Sequence, residues 1–437
     1  MSTHKRWGRA LAAVVAAVSL GATAACTSSG SGEGGGDATS LTLIAANSTF
    51  TEALPDLAAK YEEETGVKVN IETYGNEQLN DTLKVKLNAQ SDEFDIFGYQ
   101  VQDVLREFVR NGWVTDISDR VADAGDWDWE DFQDPAREAV QLEGKIYGIP
   151  VATERQIVFY RSDLLAEKGI DPPATLEDLE AAAEALNDPD NGFYGIAMRG
   201  ARVPLVTQFS SFLYSYGGDF QDAEGNASIN TPEALQAYET YGRLLNKYGP
   251  PGATNMGWVE ASAIFAQGNA AFYIDADSQA YTFLDPEKSA VVEQVAYTRF
   301  PAGPAGSKPY NIVFQTLGIN EFSTKKDAAW EFIAWVLNKE NATALLADST
   351  LPVARTSAWE DEAATAQFPE GLVEIARNVD ADYVGHDRPQ LEAVARAREY
   401  VGGPAIPAIE GADAAAIKTA ADSAQDEFQT LLDSESR

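Results

Sequence analysis

From residue 41 onward the chain alternates short apolar runs with longer amphipathic ones, and that alternation restricts it to a layered α/β structure. Residues 41–46 (LTLIAA) read as a buried strand, 51–65 as a helix stopped by Gly66, and 67–74 as a second strand. Residues 76–90 predict a helix and 94–99 a third strand. Strand, helix and strand at this spacing imply parallel pairing through right-handed crossovers. After Gly148-Ile149-Pro150 the pattern resumes, with strands at 155–161, 194–198, 270–274, 292–299 and 310–320. Helices are expected at 176–186, 203–216, 232–248, 258–267 and 328–338, and the chain reads as helical from 361 to its end.

The first residues point to secretion. Lys5, Arg6 and Arg9 precede the apolar run 10–20, and small residues then lead to Cys26. That order is a signal peptide over 1–25, too short and too alanine-rich for a membrane span. Cys26 is the single cysteine of the 437 residues, so no internal disulfide or thiolate metal site can form. Its setting after Thr23-Ala24-Ala25 resembles a bacterial lipobox, with Thr23 where that pattern usually has Leu. Lipidation of Cys26 would anchor the protein to the membrane. Residues 26–40, rich in Gly and Ser, form a flexible tether with a reach of roughly 20 Å. Nothing later in the chain approaches 18 consecutive apolar residues, so the body is expected to be soluble.

Hydrophobic content of 45% is ample for buried cores. Without the signal, 29 basic residues face 68 acidic ones, a net charge of −39. Nucleic-acid binding is disfavoured, because phosphate contacts need Lys and Arg. One histidine, His386, remains after the signal, so paired-histidine zinc chemistry is excluded; there is no GxSxG elbow and no P-loop. Neither a metal nor a cofactor is expected. A carboxylate-pair glycosidase is the one enzyme class left open.

The block GKIYGIPVATERQIVFYRSDLLAEKGIDPPATLEDL resembles the central signature of the family 1 extracellular solute-binding proteins, which include maltose-binding protein. KYEEETGVKVNIE, AWEFIAWVLN and LPVAR (351–355) resemble further parts of the same family, in the same order. Arg161 and Leu176 depart from it, standing where the family commonly has Asn and Trp. The resemblance implies a two-domain periplasmic-binding-protein-like α/β fold (type II), its discontinuous domains joined by a three-crossing hinge. The N-terminal lobe would comprise 41–150 and 301–348, and the C-terminal lobe 151–300 and 349–437. It implies a lipid-anchored monomer outside the cytoplasmic membrane, capturing a sugar or polyol for the permease subunits of an ABC importer. The same fold also carries polyamines, amino acids, peptides and oxyanions. A purely structural or adhesive surface lipoprotein would instead lack an interdomain cleft.

Hydroxyl-rich ligands need planar polar groups and aromatic faces. In α/β sheets such ligands bind beyond the strands' carboxyl ends. There the first strand offers Asn47, Ser48 and Thr49, of which Ser48 and Thr49 are also N-cap residues by type. The third strand is followed by Tyr99, Gln100 and Gln102; the corresponding loop in maltose-binding protein contacts sugar, while Tyr99 equally suits a core. By the resemblance, Glu154 falls where the family places a ligand-binding acid, the other reading being a salt bridge beside Arg155. Arg199 can donate a bidentate pair to hydroxyls or a carboxylate, or form a structural ion pair; Arg202 is of the same kind. Asp275 and Asp277 stand where related proteins often place an aromatic or acidic contact, with helix capping as their alternative role. Trp258, opening a helix, is the tryptophan placed for stacking, and Gln315 completes the set. Trp330 and Trp335 suit the core; Trp127 and Trp129 read as surface-loop residues.

Overall fold

The computed structural model describes residues 39–349, 351–379 and 382–435. The signal segment, Cys26 and nearly all of the tether lie outside the described residues. Among the described residues no helix is long and apolar enough to cross a membrane.

The strands that position the site are β1 (Ser40–Ala46), β2 (Lys68–Tyr74), β3 (Ile96–Tyr99), β4 (Ile149–Arg161), β5 (Tyr194–Ala197), β6 (Ala270–Ala276), β7 (Val295–Arg299) and β8 (Asn311–Ile319). Their order is β2-β1-β3-β8-β4-β6-β5, with β7 also pairing β4. As expected, β1 pairs in parallel with β2 and β3. Strand β8 runs antiparallel to β3 and to the first half of β4. The second half of β4 pairs antiparallel with β6 and β7, and β5 lies parallel to β6.

Main helices are α1 (Thr49–Thr65), α2 (Asn76–Asn88), α3 (Val101–Arg110), α4 (Leu205–Ser215), α5 (Pro232–Tyr248), α6 (Trp258–Ala266), α7 (Lys326–Val336), α8 (Val394–Gly402) and α9 (Ala414–Glu435). Ser48, not Thr49, caps α1. Its Oγ accepts from Thr51 N at 3.3 Å while Ser48 N donates to Thr51 Oγ1 at 2.8 Å, a reciprocal capping box. Gly66, at φ +76°, ends the helix in the left-handed conformation open to glycine.

Two apolar cores form. One gathers Leu43, Phe50, Phe97, Phe108, Leu317 and Phe332; the other Phe159, Phe212, Tyr241, Phe265, Tyr273 and Phe428. Strand β4 serves both, giving Ile149, Val151 and Ala152 to the first and Ile157, Val158 and Phe159 to the second. The polar stretch Thr153-Glu154-Arg155-Gln156 lies between them. Segment 351–355 runs against this strand: Thr153 N donates to Pro352 O at 2.9 Å and Ala354 N to Val151 O at 3.0 Å.

Three expectations need correction. The strand expected at 155–161 begins six residues earlier, because Pro150 sits near the strand start, where proline is tolerated. The carboxyl-terminal region is not helical throughout: among the described residues, 382–393 are irregular. Gly385 and Pro389 fall in that stretch, and proline cannot continue a helix. Trp127 and Trp129 also differ from the surface-loop reading. Their rings stack on each other with centroids 6.4 Å apart and pack against the first core, and Trp127 Nε1 donates to Ala334 O at 2.7 Å.

Candidate functional site

Strands β5 and β6 are parallel neighbours, with Ala197 opposite Tyr273, so the residues that follow them emerge side by side. Arg199 thereby meets Asp275 in a two-point ion pair, Nε to Oδ2 at 2.9 Å and Nη2 to Oδ1 at 2.5 Å. Asp275 is fully buried and also accepts from Gln208 Nε2, Tyr273 Oη and Ala276 N, each at 2.8 Å. Its carboxylate is therefore engaged by internal donors. Burial works against the Arg199 charge, but Asp275 outweighs it and the pKa is raised.

The next acid behaves alike. Asp277 accepts from Arg155 N at 3.0 Å and from Arg155 Nε at 2.5 Å. Arg155 is wholly buried, its guanidinium 5.1 Å from the Trp359 ring centroid. Two of the proposed ligand acids are thus anchored in structural ion pairs.

Glu154 differs. Ser278 Oγ donates to its Oε1 at 2.5 Å, and among the described residues no arginine pairs with it directly. Burial is the main cause that pushes its pKa up to about 7, with Asp277 and Asp275 adding to the rise and Ser278 and Arg199 opposing it. Nearby, the Tyr310 hydroxyl is buried with no hydrogen-bond partner among the described residues. It lies in the field of Asp275, Arg199, Glu154 and Asp387, and burial raises its pKa.

The irregular stretch 382–393 completes this layer. Arg388 donates from Nε and Nη2 to the two Asp387 oxygens at 2.7 and 2.6 Å, and from Nη1 to Asp103 of α3 at 2.7 Å. Burial alone would raise Asp387; Arg388 chiefly, with Arg398 and Thr207, overcomes it and holds the carboxyl at about 2. Tyr310, Asp387 and Arg388 were missed by the sequence reading. Gly385 and Pro389, flanking His386-Asp387-Arg388, were the available signal that the helical pattern breaks there.

A second group lies beside β1, β3 and β8. Asn47, Ser48, Tyr99, Gln100 and Gln315 line a cavity of about 180 Å³. Tyr99 is also a core residue, its hydroxyl donating to Tyr147 O at 3.1 Å. The β4–β8 register shifts around Gln315, and its Nε2 lies 3.2 Å from Ser48 Oγ. Such an irregularity re-aims a side chain. Gln102 lines a neighbouring cavity of about 240 Å³ with Glu138, Gln141, His386 and Gln390, and its Nε2 is buried with no partner among the described residues.

The structure therefore brings together Asn47, Tyr99 and Gln100, and separately Glu154, Arg199, Asp275 and Asp277. Thr49 and Trp258 join neither group: Thr49 is exposed on the first turn of α1, and Trp258 is 44% exposed at the start of α6. His386 Nε2 faces Asp219 Oδ1 at 3.3 Å.

The sequence decides the family. The model of the bacterial extracellular solute-binding proteins matches residues 47–343. This chain belongs to that family. A mannitol-binding protein of Pseudomonas aeruginosa is 26% identical to this solute-binding protein over 81% of its chain and 78% of the relative. It also matches a putative binding protein of Brucella abortus, 26% identical over 46% of this chain, and spans about half (48%) of that relative. Among solved structures, an ABC transporter solute-binding protein of Agrobacterium radiobacter in complex with ribitol superimposes with a TM-score of 0.76 at 27% identity. That likeness covers 90% of this solute-binding protein and 99% of the other, and two-domain proteins of this kind share its mixed α/β fold.

Proposed function

We propose that this solute-binding protein captures a neutral polyhydroxy solute, an alditol or sugar, between two hinged lobes and delivers it to an ABC permease. One observation carries the reading: three arginines of the site are each paired with a carboxylate within the protein. Arg199 is paired with Asp275, Arg155 with Asp277, and Arg388 with Asp387 and Asp103. What the site has left to offer is hydrogen bonding, from Glu154, Tyr310, Gln102, the two Arg155 Nη atoms and the amides beside Ser48. Uncharged hydroxyls suit such groups; an oxyanion held by Arg199 or Arg388 would need a buried pair broken, which is costly. The mannitol-binding relative and the ribitol complex support the same solute class.

In this reading the lobes are residues 41–150 with 301–348 and 151–300 with 349–437, and β4, β8 and segment 351–355 form the hinge. Glu154 is the ligand-binding acid, while Asp275 and Asp277 orient Arg199 and Arg155 rather than touch solute. Cys26 carries the lipid that tethers a monomer to the outer face of the membrane. No catalysis is proposed: a glycosidase needs two available carboxylates, and Asp275 and Asp277 are both engaged by arginines.

A thermal-melt panel of alditols, sugars, polyamines and amino acids tests this. A solute at 100 times its Kd stabilises by about 2.7 kcal/mol. A melt shifted by polyamines alone would overturn the assignment.

A further inference from the structure

Helix α3 buries Val101, Val104, Leu105 and Phe108 in the first core. Asp103, Arg106 and Arg110 follow one another at intervals of three and four residues, which sets them along another stripe of the helix. Facing that stripe is the irregular stretch 382–393, whose alternate residues 388, 390 and 392 point at it. Arg388 donates to Asp103 at 2.7 Å, Arg106 Nη2 to Gln390 Oε1 at 3.3 Å, and Arg110 Nη2 lies 2.5 Å from Glu392 Oε2. Seven residues of helix rise about 10.5 Å and four of extended chain about 13 Å, so the two rows match in length.

The seam joins the two cores, since α3 packs in the first and Leu391 in the second, and the stretch is also tied to β8, where Asn311 N donates to Val384 O at 2.8 Å. It is also braced from behind. Asp387 holds Arg388, and the Glu435 carboxylate of α9 accepts from Glu392 N and Ala393 N at 2.9 and 2.7 Å, just ahead of α8.

We propose that this seam is a latch in which Asp103, Arg106 and Arg110 grip Arg388, Gln390 and Glu392 and thereby set the balance between closed and open lobes. The proposal rests on the two-lobe reading above. Signs along the helix run minus, plus, plus against plus, neutral, minus, so a slip of one step would bring Arg106 against Arg388. The latch therefore selects the register of closure as well as its persistence. These are positioning residues, acting through lobe geometry rather than on the solute.

Small-angle scattering of the full chain without any solute tests the latch independently of what the protein binds. Arg110 is 62% exposed, so its reversal leaves the cores intact. Arg110→Glu is expected to lower the closed-to-open ratio about two- to fivefold, the range for a partly exposed ion pair, and to enlarge the radius of gyration. The double variant Arg110→Glu/Glu392→Arg restores the wild-type profile, and the difference shrinks between about 0.01 M and about 1 M salt. An Arg110→Glu profile superimposing on wild type at low salt overturns the latch, as does a double variant no more compact than the single. Failure of the solute panel with these shifts present would leave the latch standing and remove the solute assignment instead.

Discussion

Arg199 and Asp275, the one following β5 and the other near the end of β6, form a buried two-point ion pair that fixes the floor of the candidate site. The arginine backbone is fixed too: Arg199 N donates to Gln208 Oε1 at 2.7 Å and its carbonyl accepts from Tyr241 Oη at 2.5 Å. Asp275→Asn keeps the shape and removes the charge, leaving a buried guanidinium without its counter-ion. The expected loss is about 3–5 kcal/mol of stability. Urea unfolding measures it; a loss under about 1 kcal/mol would show that the pair is not needed to hold the floor.

Glu154 predicts a pH dependence. Its folded pKa, about 7, lies above its ordinary value of 4.5. A group raised in this way contributes stability that is full below the unfolded value and disappears as pH rises through the folded one. The chain is thus expected to lose stability between about pH 4.5 and about pH 7 on account of Glu154, and Glu154→Gln to remove that part of the slope. Asp387, held at about 2, acts in the opposite sense, at lower pH. Urea midpoints of both proteins at about pH 5, 6, 7 and 8 make the comparison, and parallel curves would refute it.

Tyr310 separates binding from stability. Its buried hydroxyl has no partner among the described residues, so Tyr310→Phe is expected to leave the melting temperature nearly unchanged. A solute that takes up the hydroxyl loses about 0.5–1.5 kcal/mol of affinity in the variant. Glu154→Ala is expected to cost about 1 kcal/mol or more, while Trp258→Ala, exposed at the start of α6, leaves affinity within about twofold. Calorimetric titration with the solute found by the melt panel reads all three.

Gly148 guards the wall that holds Tyr99. A Cβ there would come within 2.5 Å of Thr316 Cγ2 and 2.8 Å of the Tyr99 hydroxyl. Gly148→Ala is therefore expected to displace Tyr99 and cost about 1–3 kcal/mol, as overpacked cores do. Near-ultraviolet circular dichroism and urea unfolding report the two effects; an unchanged spectrum with unchanged stability would show that the wall yields freely.

Local pattern carried much of the architecture. The alternation of strands and helices, the Gly66 stop and the helix 232–248 were all legible, because periodicity and caps act over a few neighbouring residues. So was the placing of Asn47 and Arg199 just beyond strands β1 and β5, whereas Glu154 stands in the middle of β4. The break at 382–393 is masked in the sequence because short helical runs on either side dominate the pattern around Gly385 and Pro389.

The sequence by itself determined that this is a layered α/β chain of the solute-binding family, with polar residues at the carboxyl ends of its strands. Tertiary structure alone decided which of those residues are engaged by internal partners. Arg199 reaches Asp275 across 76 positions, Arg155 reaches Asp277 across 122, and Arg388 reaches Asp103 across 285. Pairings over such distances depend on how strands order themselves in the sheet and how one lobe lies against the other. A periodicity of two or 3.6 residues holds no information about that.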